Sequence, residues 1–114
     1  MEHTSTTNLK MNFIEMLILY LLEFDDIYAY RLSQLLYEKS GNILKIPEGS
    51  LYPTLYRLVE KGFVSDQRIK VGKRAMRVLY HIEEPGKTHL EKLKADYFQT
   101  NRGIMNVLNS NLSE

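Results

Sequence analysis

The chain has no cysteine and no tryptophan, three prolines in 114 residues, and little net charge of either sign. Without cysteine there can be no disulfide framework, no thiolate nucleophile and no cysteine-bound metal. That fits a reducing compartment, and the cytoplasm is the expected location. A long uninterrupted apolar run is also missing. The stretch from Phe13 to Phe24, FIEMLILYLLEF, is broken by Glu15 and Glu23 and falls short of the roughly 20 residues that span a bilayer. The N-terminal MEHTSTTNLKMN has neither a basic start, an apolar core nor a small-residue cleavage site, so no signal peptide is expected. A net charge of +1 excludes a bulk polycation; a nucleic-acid surface must come from where the charges sit. What remains, 44% hydrophobic and 25% charged residues, is the composition of a folded soluble domain.

The usual catalytic arrangements are missing as well. His3, His81 and His89 fall on a tail, a strand and a helix, and no pair has ligand spacing on one helix face. Glu83 and Glu84 are adjacent at a strand end and point to opposite sides, which disqualifies them as an acid–base pair. No glycine-rich phosphate loop or nucleophile elbow occurs. The chain reads as a non-enzyme without metal or cofactor.

What is present centres on Gly49 to Phe63, GSLYPTLYRLVEKGF. Leu51, Leu55, Leu58 and Val59 recur at helical spacing and define one apolar face. Ser50, Tyr52, Thr54, Tyr56 and Arg57 fall away from it. Hydroxyls, aromatics and a guanidinium are an unusual set for a plain solvated face, and they suit a helix laid on something polar and anionic. Two starts are possible. Either Pro47 opens the helix and Pro53 interrupts its interior, or Ser50 is the N-cap and Pro53 lies in the first turn. The earlier start is favoured. On either reading the free N–H groups and positive dipole end favour a nearby phosphate. Gly62 closes the helix in the left-handed conformation.

In chain order, residues 1–10 read as a disordered arm. The run Phe13 to Phe24 is helical and apolar almost all round, more than a small core can cover, so a partner subunit is the expected cover on its far side. A second helix runs from about Tyr28 or Ala29 to Ser40 on Leu32, Leu35 and Leu36, ended by Gly41 and Asn42. Ile43 to Ile46 is a short extended piece, and the Gly49–Phe63 helix follows. From Phe63 the period changes to two. FVSDQRIK and AMRVLYHI form a β-hairpin around VGKR. Arg68, Lys70, Lys73, Arg74 and Arg77 stand within ten residues with no acid among them. Basic edge residues can simply prevent strand aggregation. Beside a candidate recognition helix, a phosphate-gripping wing is the preferred reading. Pro85 and Gly86 end the hairpin. A long helix then runs from about Gly86 to Asn109. Leu90, Leu93, Tyr97, Thr100, Ile104 and Val107 form an a/d seam along it. The seam either packs back on its own domain or meets a partner, and the partner is preferred because little core is left to cover.

The expected fold is mainly α with a small β-hairpin: a winged helix-turn-helix over residues 11–84, then a long C-terminal dimerisation helix and tail over 85–114. The third helix would enter the major groove while the second crosses the backbone.

Three runs, YAYRLSQLLYEKSG, GSLYPTLYRLVEKGFV and KRAMRVLYHIEEPGK, resemble the PadR family of bacterial transcriptional regulators. The family's LYP-x-L-x-R-L-x-x-x-G core matches as Leu51, Tyr52, Pro53, Leu55, Arg57, Leu58 and Gly62. The resemblance spans roughly residues 13–108, at the length of the compact subfamily with a single C-terminal dimerisation helix. It implies a homodimeric repressor on a roughly palindromic operator, with DNA contacts from the third helix and the wing tip, and an effector admitted to a flat apolar space between subunits. The sequence departs from the family at Tyr28-Ala29-Tyr30, where His-Gly-Tyr is usual. Glu83 replaces a threonine, and Leu79-Tyr80 replaces paired tyrosines. The tryptophan that stacks planar drugs in a multidrug-sensing member has no counterpart, which speaks against a multidrug pocket.

The residues expected to meet double-stranded DNA are Tyr28, Tyr30, Ser50, Tyr52, Pro53, Thr54, Arg57, Lys73, Arg74 and Arg77. Phe13, Met16, Leu17, Tyr20, Leu90, Leu93, Tyr97 and Ile104 are expected at the dimer interface, which either packs tightly or admits a small apolar or aromatic effector. The alternative function is a winged-helix protein-interaction module, its wing on an acidic protein and its tyrosines as anchors.

Overall fold

The computed structural model describes residues 5–113, with side chains from Phe13 onward. Helix α1 spans Ser5–Leu22, the two-residue strand β1 Ile27–Tyr28, α2 Ala29–Lys39 and α3 Glu48–Glu60. Strands β2 (Val64–Val71) and β3 (Ala75–Ile82) form the hairpin, and α4 covers Glu84–Leu108. Residues 1–4 of the expected disordered arm lie outside the described residues. From Ser5 the backbone is already helical, so α1 takes in the rest of that segment. Ser and Thr are only weak helix opponents, and here they extend a helix whose length is set by the apolar run behind them.

The core forms where four helical stripes meet one sheet face. Ile18, Leu19 and Leu22 of α1, Leu32 of α2, Leu51, Leu55 and Leu58 of α3 and Leu90 of α4 are almost completely buried. Each removes enough apolar surface from water to contribute about 1.5–3 kcal/mol. Tyr80, Ile82 and Val64 complete the core from the sheet.

Both inner helices end in the same hydrogen-bonded motif. At the end of α3, Gly62 has φ +79°. Its N–H donates to the Val59 carbonyl, and the Phe63 N–H donates to the Leu58 carbonyl. This is the Schellman pattern, which satisfies carbonyls the helix would leave orphaned. At the end of α2, the N–H groups of Gly41 and Asn42 reach back to Glu38 and Tyr37 in the same way.

The expected hairpin forms, in register from Val64 opposite Ile82 to Val71 opposite Ala75, and its turn is Gly72–Arg74 because Val71 of the expected connection belongs to the strand. The sheet has three strands, not the two expected from the sequence. Ile27 and Tyr28 pair antiparallel with Tyr80 and Leu79, giving the order β1-β3-β2. Two residues are too few to carry a period, so β1 leaves no pattern in the sequence. Conversely, Ile43 to Ile46 joins no sheet.

Pro85 and Gly86 do not separate hairpin from helix. They lie in the first turn of α4, where proline's missing N–H costs nothing. Leu90 and Leu93 anchor α4 against the core. From Asn101 to the last described residue every side chain is exposed, and α4 stretches the protein to 69 Å in its longest dimension.

Gly86 is buried, and its position is set by the backbone it faces. A Cβ there would overlap the Phe63 carbonyl and press on Ile82. Alanine normally stabilises a helix relative to glycine by about 1 kcal/mol. Gly86→Ala is expected to do the opposite and cost about 1–3 kcal/mol through forced displacement. A urea melt followed by circular dichroism checks the sign; equal or greater stability would mean the α4 docking is looser than described.

Candidate nucleic-acid interface

Helix α3 begins at Glu48 with Pro47 as its N-cap, one residue later than the favoured start, and Pro53 lies inside it. Proline at 53 removes the N–H that would have bonded the Gly49 carbonyl, leaving that acceptor free at the start of the helix. Along the outward face, Pro53 and Tyr56 are exposed, while Ser50, Tyr52 and Arg57 are half-buried. The rings of Tyr52 and Tyr56 stand 6.4 Å apart. Tyr56, read from the sequence as part of the outward face, is 63% exposed on this surface. Its spacing of four from Tyr52 is the signal that places it there.

Thr54 is a correction. It is 2% exposed and cannot reach a base edge. Its hydroxyl donates to the Ser50 carbonyl at 2.8 Å and accepts from Arg57 Nη2 at 3.2 Å. It works inside the helix, tilting the Arg57 guanidinium back toward the N-terminal turn. The helical wheel contains the reason: position 54 lies three after Leu51 and four before Leu58, in the middle of the buried stripe.

The two helix N-termini differ. Neither has a side-chain cap, so both leave backbone N–H groups open. The first turn of α3 carries Glu48, whose carboxylate already complements the dipole and opposes a second anion. The first turn of α2 carries no acid. Of the two, α2 is the better end for a phosphate. Tyr28 and Tyr30 flank it, ring centroids 5.9 Å apart in a stacked arrangement. The Arg77 guanidinium of β3 lies over the Tyr30 ring, 4.5 Å from its centroid.

Lys73 and Arg74 sit on the turn of the hairpin, and every residue from Lys70 to Arg77 is exposed. No ion pair among the described residues includes Arg68, Lys70, Lys73, Arg74 or Arg77. Six acids pair instead with Arg31, Lys87, Lys92, Lys94, His81 and His89. The hairpin therefore concentrates positive charge in a chain that is nearly neutral overall.

The residues expected at a dimer or effector surface divide into two sets. Met16, Leu90 and Leu93 are buried in the protomer's own core and are not free for a partner, a correction to the expected interface. Their stripe is consumed because α4 packs back on the domain over its first half. Phe13 and Leu17 are half-buried, and Tyr20, Tyr97 and Ile104 are more than 40% exposed. Leu17, Tyr20, Leu21 and Phe24 line one wall of a cleft of about 940 Å³ whose other wall is β1 and α2, with Arg31 and Lys39 at its edge.

The histidines have structural roles among the described residues. His81 Nδ1 lies 2.7 Å from Asp26 Oδ1. His89 stacks on Phe63, centroids 4.2 Å apart, with its Nε2 3.5 Å from the buried Glu15. No group of three metal-ligating side chains occurs among the described residues, and no described helix is long and apolar enough to cross a membrane.

Residues 18–92 match the family model described as the transcriptional regulator PadR-like family. No curated protein matches the chain. Among solved structures, a transcriptional regulator from Clostridium thermocellum is similar at a TM-score of 0.77 and 22% identity, over 90% of this chain and 99% of that one. A PadR-like transcriptional regulator from Bacillus cereus is similar at a TM-score of 0.68 and 26% identity, over 86% of this chain and 93% of that one. PadR of Bacillus subtilis, solved with operator DNA, is similar at a TM-score of 0.64 and 23% identity, over 69% of this chain and 44% of that one.

Beneath the surface tyrosines lies Tyr80, 2% exposed. Burial, then Asp66 and the neighbouring Tyr56 and Tyr52, push its phenol up to about 12 against a slight opposite pull from Arg68. The folded state thus holds this proton more tightly than the unfolded chain does. Its contribution is complete below pH 10 and is lost as pH rises toward 12, because only the unfolded chain ionises there. Stability should fall by about 2–3 kcal/mol across that window, and Tyr80→Phe should flatten the fall. Denaturant melts at several alkaline pH values read this directly; an unchanged slope in the phenylalanine variant would assign the loss to other groups.

Proposed function

Since the chain belongs to the PadR-like family of transcriptional regulators, we propose that it is a cytoplasmic, ligand-responsive repressor that binds a palindromic operator as a homodimer. Helix α3 lies in the major groove, with Ser50, Tyr52 and Pro53 toward base edges and Arg57 toward the backbone. Tyr28, Tyr30 and the open N-terminus of α2 face a phosphate, and Lys73 and Arg74 grip the backbone beyond it. The observation that carries this reading is the pairing of a polar, partly aromatic α3 face with a projecting ribbon whose cations have no acidic partners among the described residues.

Two incompletely covered apolar stripes support the dimer. One is Tyr20 on α1, with the half-buried Phe13 and Leu17 beside it and Phe24 in the turn just beyond; the other is Tyr97, Ile104 and Leu108 on the distal half of α4, where Phe98 and Met105 are also exposed. Neither is fully covered in its own protomer, and a second copy offers each the other. The effector, a small apolar or aromatic molecule, enters the cleft beside Tyr20 and Phe24 at the edge of that interface. It acts as a switch by binding the DNA-competent and incompetent dimers with different affinity.

Binding to a DNA fragment from upstream of the protein's own gene, across a salt series and against random-sequence competitor, tests the DNA reading. Lys73→Gln with Arg74→Gln should lower the salt slope by about 2 and weaken all sequences alike. An unchanged slope removes the wing from the interface; no binding by the wild type at low salt moves the weight to a protein-interaction module. For the dimer, Ile104→Asp with Leu108→Asp should give a monomer in sedimentation equilibrium, because two carboxylates would be desolvated in an apolar seam. A persisting dimer would place the interface elsewhere.

A further inference from the structure

The hairpin leaves the body of the protein early. Strand β1 pairs only with Leu79 and Tyr80, close to the base of β3. Toward the tip, the chain from Lys70 to Arg77 is exposed at every residue, so this part is a two-stranded ribbon without a packed face. Such ribbons twist more than sheets and are marginal alone. A wing that must deliver Lys73 and Arg74 to a fixed place needs something to set its angle.

Arg77 is where the returning strand first meets the body. It shares a sheet face with Leu79, and Leu79 is paired with Tyr28, so Arg77 lies over the segment that leads into α2. Its guanidinium caps the Tyr30 ring at 4.5 Å, and Tyr30 stacks on Tyr28 at 5.9 Å. Arginine suits this position because its planar, weakly hydrated group stacks on a ring face.

We propose that Arg77 is a positioning residue of the wing: through Tyr30 and Tyr28 it braces the hairpin against the start of α2 and sets where Lys73 and Arg74 point. It is not one of the phosphate contacts. Its place is at the foot of the exposed ribbon, on the Tyr30 ring, and not at the turn that carries Lys73 and Arg74. The brace is a property of the fold; its consequence for DNA rests on the nucleic-acid reading above.

Two readouts on the full chain separate these statements. Amide hydrogen exchange by NMR follows the wing amides from Ile69 to Met76 without DNA. Arg77→Gln and Tyr30→Leu should each speed their exchange by about two- to fivefold, the factor an exposed cation–π contact is worth. The double variant should add nothing further, and Tyr30→Phe, which keeps the ring, should leave exchange unchanged. Unaltered exchange in Arg77→Gln, or Tyr30→Phe behaving like Tyr30→Leu, overturns the brace.

The second readout is the salt dependence of binding to the same upstream duplex. Arg77→Gln should weaken binding with the slope preserved, whereas a lost phosphate contact would lower the slope by about 0.9. A lowered slope overturns the positioning role. If the wild type binds no DNA at any salt, the nucleic-acid reading fails, and hydrogen exchange alone decides the brace.

Discussion

The structure depends on the joint at Phe63. Its N–H closes the Schellman motif of α3 by donating to Leu58, and its carbonyl accepts the Glu83 N–H at 2.9 Å. Gly86 packs against that same carbonyl, with no room for a side chain between them. The Phe63 ring stacks on His89, and His89 faces the buried Glu15 of α1. One residue therefore fixes the end of α3, the base of the hairpin, the first turn of α4 and, through one imidazole, α1. Buried polar groups such as Glu15 are tolerated only when partnered, which ties α4 to α1 by more than apolar contact.

That joint sets α3 and the basic hairpin side by side. A net charge of +1 cannot steer a protein to DNA by bulk attraction. Here acids pair with other bases along the helices while the hairpin cations stay unpaired among the described residues, so the local field is positive although the total is nearly zero. The helix ends add a second discrimination. Glu48 offsets the dipole of α3, and α2 keeps its own, so the N-terminus of α2 is the better end for an anion.

Much of this was legible in the sequence wherever one short stretch determines the outcome. The spacing of Leu51, Leu55 and Leu58, the left-handed Gly62 and the period-two strands all turned out as read, because each answers to local chemistry. Thr54 was readable but misread: its hydroxyl suggested a base contact, while its place on the wheel put it inside. Strand β1 was too short to show a period. The Glu15–His89 and Asp26–His81 pairs join residues far apart in the chain, as does the Arg77–Tyr30 stack. No spacing rule reaches across such distances. The seam on α4 divided in two because its first half found the protomer core, and only the tertiary packing decides where that cover ends.

The measurement that bears most directly on the account is a chemical-shift titration of isotope-labelled protein with a duplex from upstream of its own gene. The largest shifts are expected at Gly49 to Arg57, at Tyr28 to Arg31 and at Gly72 to Arg74, with α4 beyond Tyr97 unmoved. Shifts concentrated on distal α4 or in the cleft beside Phe24, with α3 and the wing silent, would contradict it.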